Sequence, residues 1–288
     1  MKKSKGIITI LAAIVIMIVG AILLFSPAKK NSVLSNNVKI RKDIKLNNEI
    51  PKSVYDSKKL YIKILLKEDS NPKIKTILAN LNLYPESLVK LASYNKAALD
   101  FVYDYPFEAE YYQNKKIDIK SYYEKGKIPL FLQWDKQWGY DKYGDNYIAV
   151  NGCGPTALSM VIVGLTGNTN INPKVVADYS ESKGEYVNGE GSKWTMMTDI
   201  PEHFGVEGKE IPLIKSKIID ELKEGNPIIA AMGPGVFTKT GHFIVLTGLT
   251  EDGQVTVNDP DSKVNSEKTW NLNLVMKETK DIWVFKKM

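Results

Sequence analysis

The chain holds a single cysteine, Cys153, two histidines, His203 and His242, and an aspartate, Asp259, at the end of a strand-like run. A thiol attacks as its thiolate, which a helix N-terminus or a neighbouring imidazolium favours. Cys153 lies in Asn151-Gly152-Cys153-Gly154-Pro155-Thr156, followed by Ala157, Leu158, Val161, Ile162 and Leu165 at helical spacing. Most free cysteines are small buried hydrophobes. Here two glycines and a proline at a helix start mark a tightly turned, exposed position, and a nucleophile is the better reading.

Such a nucleophile needs a base within hydrogen-bond reach and a third group to orient that base. His203, in Pro201-Glu202-His203-Phe204-Gly205, is accounted for as a cation near a helix C-terminus. His242 opens the strongest strand pattern of the chain, directly after a glycine-rich loop. Thr250-Glu251-Asp252-Gly253 reads as a four-residue hairpin loop and Gln254-Val255-Thr256-Val257-Asn258 as the return strand. Pairing Leu249 with Gln254 puts Asp259 opposite Ile244, on the face that His242 shares. The carboxylate is then a diagonal neighbour of the imidazole, about 7 Å away at the backbone and reachable by a side chain. Asn258 points to the other face, and a slip of one residue would exchange the two.

The elements that must position these groups are helices first and an antiparallel sheet after, an α+β order. Residues 31–70 read as a polar spacer, with a strand expected at Leu60–Leu66. Residues 71–127 read as a small helical region, ending near Tyr105-Pro106, and a tyrosine-bearing linker. They carry no cluster suited to catalysis and are expected to space or dock. The third domain, 128–288, begins at the apolar run Ile128-Pro129-Leu130-Phe131-Leu132-Gln133-Trp134. Beyond the Cys153 helix, helices are expected over Pro173–Ser182, from an N-cap at Ser192 to about Phe204, and over Ser216–Glu224, with a buried strand at Pro227–Met232. A short helix and a strand at Ile282–Phe285 end the chain.

Residues 1–30 stand apart. Gly6 to Phe25 is a charge-free apolar run long enough to cross about 30 Å of hydrocarbon as a helix, and lysines flank it. The expectation is an uncleaved N-terminal transmembrane helix with the remainder exported; the competitor is a signal peptide cut near Ser26-Pro27-Ala28. Five of the six net positive charges come from this segment. The remainder is close to neutral, so a nucleic-acid footprint is not supported. Two histidines without ligand spacing and no second cysteine give no zinc site, and no metal or cofactor is expected.

Three blocks carry a family resemblance: Asn151-Gly152-Cys153-Gly154-Pro155-Thr156, Gly241-His242-Phe243-Ile244-Val245-Leu246-Thr247-Gly248 and Val257-Asn258-Asp259-Pro260. Together they resemble the signatures of papain-like cysteine peptidases related to the bacteriocin-leader-processing family, family 39 of clan CA. The nearest type is the stand-alone exported members from Gram-positive bacteria. The similarity covers about Ile128 to Met288, and the stretch from Asn71 to Pro106 resembles the region that often precedes the domain. The resemblance implies a papain-like fold, Cys153 as nucleophile, His242 as general base and then acid, Asp259 as its orienting partner, and a peptide or protein substrate. It also implies an upstream glutamine that donates to the oxyanion. Gln133 is the match, with Gln137 as second candidate. Gln133 stands twenty residues before Cys153, farther than the family pattern has it, and residues 138–150 would have to form a looped insertion. The sequence carries no transporter segments, so leader processing coupled to export does not follow. Two other readings stay open: a peptidoglycan amidase or endopeptidase, and a surface module that binds without catalysis.

Overall fold

Asn71 caps the helix over Pro72–Ala79 by accepting hydrogen bonds on its side-chain oxygen from the Lys73 and Ile74 N–H groups, at 2.9 and 3.4 Å. Pro72 follows at the first helical position, where no N–H is missed. The computed structural model describes residues 44–288, of which Leu46–Met288 form a compact unit. The apolar run Gly6–Phe25 lies outside the described residues. Among the described residues, no helix is long and apolar enough to cross a membrane.

The first layer is helical: α1 (Lys52–Tyr55), α2 (Leu60–Leu66), α3 (Pro72–Ala79), α4 (Glu86–Tyr94) and α5 (Leu99–Asn114). Two expectations fail here. Leu60–Leu66 is a helix and not a strand, because Ile62 and Leu65, three residues apart, are the side chains that the core takes up. Helical structure thus begins within the stretch read as spacer. The last helix also runs through Pro106 to Asn114, although a proline inside a helix removes a hydrogen bond. Phe107 and Ala109 beyond the proline are buried, and Lys136 bonds to Asp104 and Glu108 at 2.6 Å each, which holds the helix to the body on both sides of the proline. Burial opposes the charge on Lys136, but these two carboxylates outweigh it and keep its ammonium above the ordinary lysine range.

The second part is built on an antiparallel six-stranded sheet. Its strands are β5 (Val206–Glu210), β6 (Ile228–Met232), β7 (His242–Leu249), β8 (Val255–Asn258), β9 (Thr269–Trp270) and β10 (Thr279–Lys287), in the order β5-β10-β6-β7-β8-β9. Two small hairpins precede it, β1 (Lys142–Tyr143) with β2 (Asn146–Tyr147) and β3 (Tyr186–Val187) with β4 (Gly191–Ser192). The helices of this part are α6 (Ile148–Asn151), α7 (Cys153–Thr166), α8 (Pro173–Ser182), α9 (Met196–Asp199), α10 (Lys215–Lys223), α11 (Lys263–Ser266) and α12 (Leu272–Glu278). Strand β6 is buried along its whole length. Ile229 and Ala231 join Phe243, Val245 and Trp283 against α7, while Ile228, Ala230 and Met232 join Ile244 and Leu246 in a core with α10 and α12. A central strand covered on both faces reads as an unbroken apolar run for this reason.

Ser192 does not cap a helix. It lies in β4, its hydroxyl pairs with that of Tyr143 at 2.8 Å, and the chain turns helical only at Met196. Pro201 then begins a separate 3-10 turn, so the helix expected over Ser192–Phe204 is broken in two.

The helical layer and the sheet part do not have separate cores. Leu88, Val89, Leu91 and Ala92 of α4 cluster with Tyr140, Tyr147 and Ala149 from the second part. Leu88→Ala should therefore cost about 2–5 kcal/mol of the unfolding free energy of the whole unit. In urea titrations, far-ultraviolet circular dichroism and the fluorescence of Trp134 and Trp138 should shift together. Two separated transitions would show that the layer folds alone.

Candidate active site

Cys153 is the first residue of α7, which begins after Gly152 and ends at Gly167 in the left-handed conformation, φ 73°. The first N–H groups of a helix have no partner within it, and its dipole favours an anion there. Residues Gly154 to Val163 are all buried, which fixes α7 as the central helix and leaves Cys153 half-exposed at its tip. The flanking glycines are required by close approach. A Cβ on Gly154 would lie 2.5 Å from the Ser192 hydroxyl, and one on Gly152 would lie 2.5 Å from the Ile148 carbonyl.

His242 starts β7 and Asp259 follows the last residue of β8. The hairpin register is the expected one next to the site, Val245 with Asn258 and Leu246 with Val257. Nearer the turn it differs: Leu249 pairs with Val255 and not with Gln254. One extra residue on β7, Thr247, forms a bulge, and its hydroxyl bonds that of Thr256 at 2.9 Å. The turn is longer by one residue, closed by the Thr250 N–H on the Gln254 carbonyl at 2.9 Å. Bulge and longer turn offset each other, so the site end keeps its pairing. Asn258 faces away, its amide donating to the Ile128 and Pro129 carbonyls at 3.0 Å each.

His242 Nε2 and Asp259 Oδ1 are 2.7 Å apart. That bond occupies Nε2, and the Cys153 thiol lies near enough to the imidazole to act on its charge. The His242 side chain is 8% exposed and that of Asp259 1%. Burial works against the imidazolium, but Asp259 and Cys153 outweigh it and hold His242 well above the ordinary histidine range. Burial likewise opposes the Asp259 carboxylate, and the His242 and Asn265 contacts keep its pKa lowered.

Asp259 has partners that the sequence did not announce. Asn265 Nδ2 donates to its Oδ2 at 2.8 Å and the Asp261 N–H to its Oδ1 at 2.9 Å. Its own N–H donates to the Ser266 hydroxyl at 2.8 Å. The one signal was Ser262, which caps α11 by accepting from the Asn265 N–H at 3.1 Å and so folds Asn265 back onto the acid.

The sequence distance between Gln133 and Cys153 is taken up by an out-and-back excursion. Hairpin β1–β2 is closed by the Ile148 N–H on the Asp141 carbonyl at 2.9 Å, and the Ala149 N–H returns to the Gly139 carbonyl at 3.1 Å. Gln133 consequently lies beside both arms of the site: its N–H donates to the Pro260 carbonyl at 2.8 Å, and its Nε2 to the Ala149 carbonyl at 2.9 Å. An amide nitrogen has two donors, and the second makes only a 3.5 Å contact with the Val150 carbonyl. Oε1 has no partner among the described residues. Gln137 instead accepts from the Asp118 N–H at 3.1 Å, at the linker. His203 is exposed and stacks on Tyr179 with ring centroids 3.9 Å apart, which fits the structural role expected of it. Among the described residues no group of three or more His, Cys, Asp or Glu side chains is arranged to hold a metal ion.

The linkage between protonation and stability has a defined sign. His242, raised, adds stability that is complete below about pH 6.5 and lost as pH rises through its folded value. Asp259, lowered, adds stability that is complete above about pH 4 and lost on acidification. The excess stability of the wild type over Asp259→Ala should be largest between about pH 4 and 6.5 and decline above it. An NMR titration of His242 should move down in Asp259→Ala from well above 6.5 in the wild type, since only Cys153 then opposes burial. An unchanged titration would contradict the assigned geometry.

The crystal structure of the peptidase domain of Streptococcus ComA, a bifunctional ABC transporter involved in a quorum-sensing pathway, matches with 19% identity and a TM-score of 0.37. The match covers 48% of this chain and 93% of that one. None of the curated proteins matches the chain. The family described as Peptidase_C39-like matches residues 125–287, a span that contains the whole Cys153, His242 and Asp259 cluster and over half of the chain. With that match on a sheet-and-helix frame that brings a thiol, an imidazole and a carboxylate together, the chain belongs to the Peptidase_C39-like family and is a cysteine peptidase.

Proposed function

We propose that the protein is a membrane-anchored, extracytoplasmic cysteine peptidase that cleaves peptide bonds through Cys153, His242 and Asp259. The observation that carries the reading is the buried 2.7 Å contact between His242 and Asp259, with the only thiol of the chain near enough to the imidazole to act on its charge. The location rests on the lysine-flanked apolar run Gly6–Phe25, with the cleaved signal peptide as its competitor.

In the proposed reaction the Cys153 thiolate attacks the scissile carbonyl carbon while His242 is protonated. The oxyanion that forms is received by the Cys153 N–H at the start of α7 and by the Gln133 amide, which gives up its long 3.5 Å contact with the Val150 carbonyl. His242 gives its proton to the leaving amine, and the acyl group remains on sulfur as a thioester. Water then attacks the thioester with His242 as base, which releases the acid and restores the thiol. Asp259 holds the imidazole in one orientation throughout and stays ionised.

Full-length protein in membranes should degrade labelled casein, and Cys153→Ala should not. Cleavage of peptidoglycan stem peptides with casein untouched would replace the proteolytic reading by the cell-wall one, and no cleavage of either would leave a binding module. Gln133→Ala should lower kcat about a hundredfold or more if its amide serves the oxyanion. Because Cys153 is the sole thiol, a membrane-impermeant maleimide applied to intact cells should label it; labelling only after lysis would place the domain inside.

A further inference from the structure

The loop that carries Asp259 is gripped by a side chain from the helical layer. Asn95 follows the last residue of α4 and is half-buried. Its Nδ2 donates to the Asp261 carbonyl at 2.8 Å and to Asp261 Oδ1 at 2.9 Å, so both amide hydrogens go to one residue. Its Oδ1 accepts from the Ala97 N–H at 3.1 Å and caps the 3-10 turn Lys96–Ala98. A backbone N–H can only donate and a carbonyl can only accept, so these partners decide which way round the amide lies. Helix α4 is itself seated on the second part, where Leu88, Val89, Leu91 and Ala92 cluster with Tyr147 and Ala149. Asn95 is therefore a fixed anchor and not a side chain that follows Asp261.

Asp261 stands two residues after Asp259 and gives its N–H to Asp259 Oδ1 at 2.9 Å. That oxygen is also the one that meets His242 Nε2 at 2.7 Å. An oxygen oriented by a backbone N–H keeps its place only while that N–H keeps its own. The Trp134 indole holds the Asp261 carbonyl at 3.0 Å, but among the described residues only Asn95 hydrogen-bonds the Asp261 carboxylate. Burial raises the Asp261 carboxyl above its ordinary range, with His242 and Asn95 working against it.

We propose that Asn95 is a positioning residue for the reaction: by holding Asp261 at two points it sets the N–H that orients Asp259 Oδ1, and through that oxygen the imidazole beside Cys153. This rests on the peptidase reading with Cys153 as nucleophile. Asn95 stands outside residues 125–287, so the helical layer supplies part of the active-site geometry that the matched span does not contain.

The test uses the full chain and the rate of Cys153 alkylation by iodoacetamide at about pH 6. Asn95→Ser keeps a side-chain oxygen for the cap and loses both bonds to Asp261. It should lower the rate roughly fivefold, the worth of about one hydrogen bond, and Asn95→Ala should lower it equally. In an Asp259→Ala background, Asn95→Ser should change the rate less than about twofold, because the residue acts through Asp259. The NMR titration of His242 should move down in Asn95→Ser, by less than in Asp259→Ala. An undiminished rate in Asn95→Ser, or a full fivefold loss added to that of Asp259→Ala, would overturn the proposal. So would a His242 titration left in place, or a loss confined to Asn95→Ala, which would assign the effect to the cap. A wild-type Cys153 that reacts no faster than glutathione would overturn the peptidase reading, and the role of Asn95 with it.

Discussion

A carboxylate that is almost completely shut off from water governs the layout of this protein. Burying an unpaired charge is prohibitive, so every group around Asp259 has to be a donor placed at the right distance. His242, Asn265 and the Asp261 N–H supply three such bonds to its oxygens, and the Ser266 hydroxyl fixes its backbone. The strand hairpin sets the distance between His242 and Asp259, and the capped turn after Asp259 brings Asn265 back. With the carboxylate fixed, the imidazole is held through Nε2, near the end of α7 that carries Cys153.

The same constraint explains why the helical layer is not a detached spacer. The loop after Asp259 is pinned from outside the sheet by Asn95 and by the Trp134 indole, which donates to the Asp261 carbonyl at 3.0 Å. Lys136, bonded to Asp104 and Glu108, ties the segment that carries Gln133 to α5. Gln133 then bridges the Pro260 carbonyl and the Ala149 carbonyl, one on each side of the site. Contacts from the helical layer thus reach the Asp259 loop, the Gln133 segment and the approach to Cys153.

Much of the site was legible in the sequence because it depends on local rules. A Gly-Cys-Gly-Pro helix start, a histidine opening an apolar strand, and a hairpin whose faces alternate are enough to bring Cys153, His242 and Asp259 together. The bulge at Thr247 was not legible, since a bulge and a longer turn cancel and leave the same pairing at the site. Asn265 was hidden because its role depends on a four-residue helix, too short to show a period. Leu60–Leu66 and the continuation through Pro106 were misread for a different reason: β-rich composition and a proline argue locally against helix, and long-range burial of Ile62, Leu65, Phe107 and Ala109 overrides them. The long gap between Gln133 and Cys153 looked like a departure from pattern and is instead a closed hairpin.

The central claim of the proposed mechanism is that the imidazole oriented by Asp259 activates Cys153. The most direct measurement is the rate of Cys153 alkylation by iodoacetamide at one pH, about 6, in the wild type, in Asp259→Ala and for glutathione. The account predicts that the wild type reacts faster than glutathione and that the variant's rate falls at least tenfold. A wild type that reacts no faster than glutathione, with a rate unchanged by loss of Asp259, would contradict it.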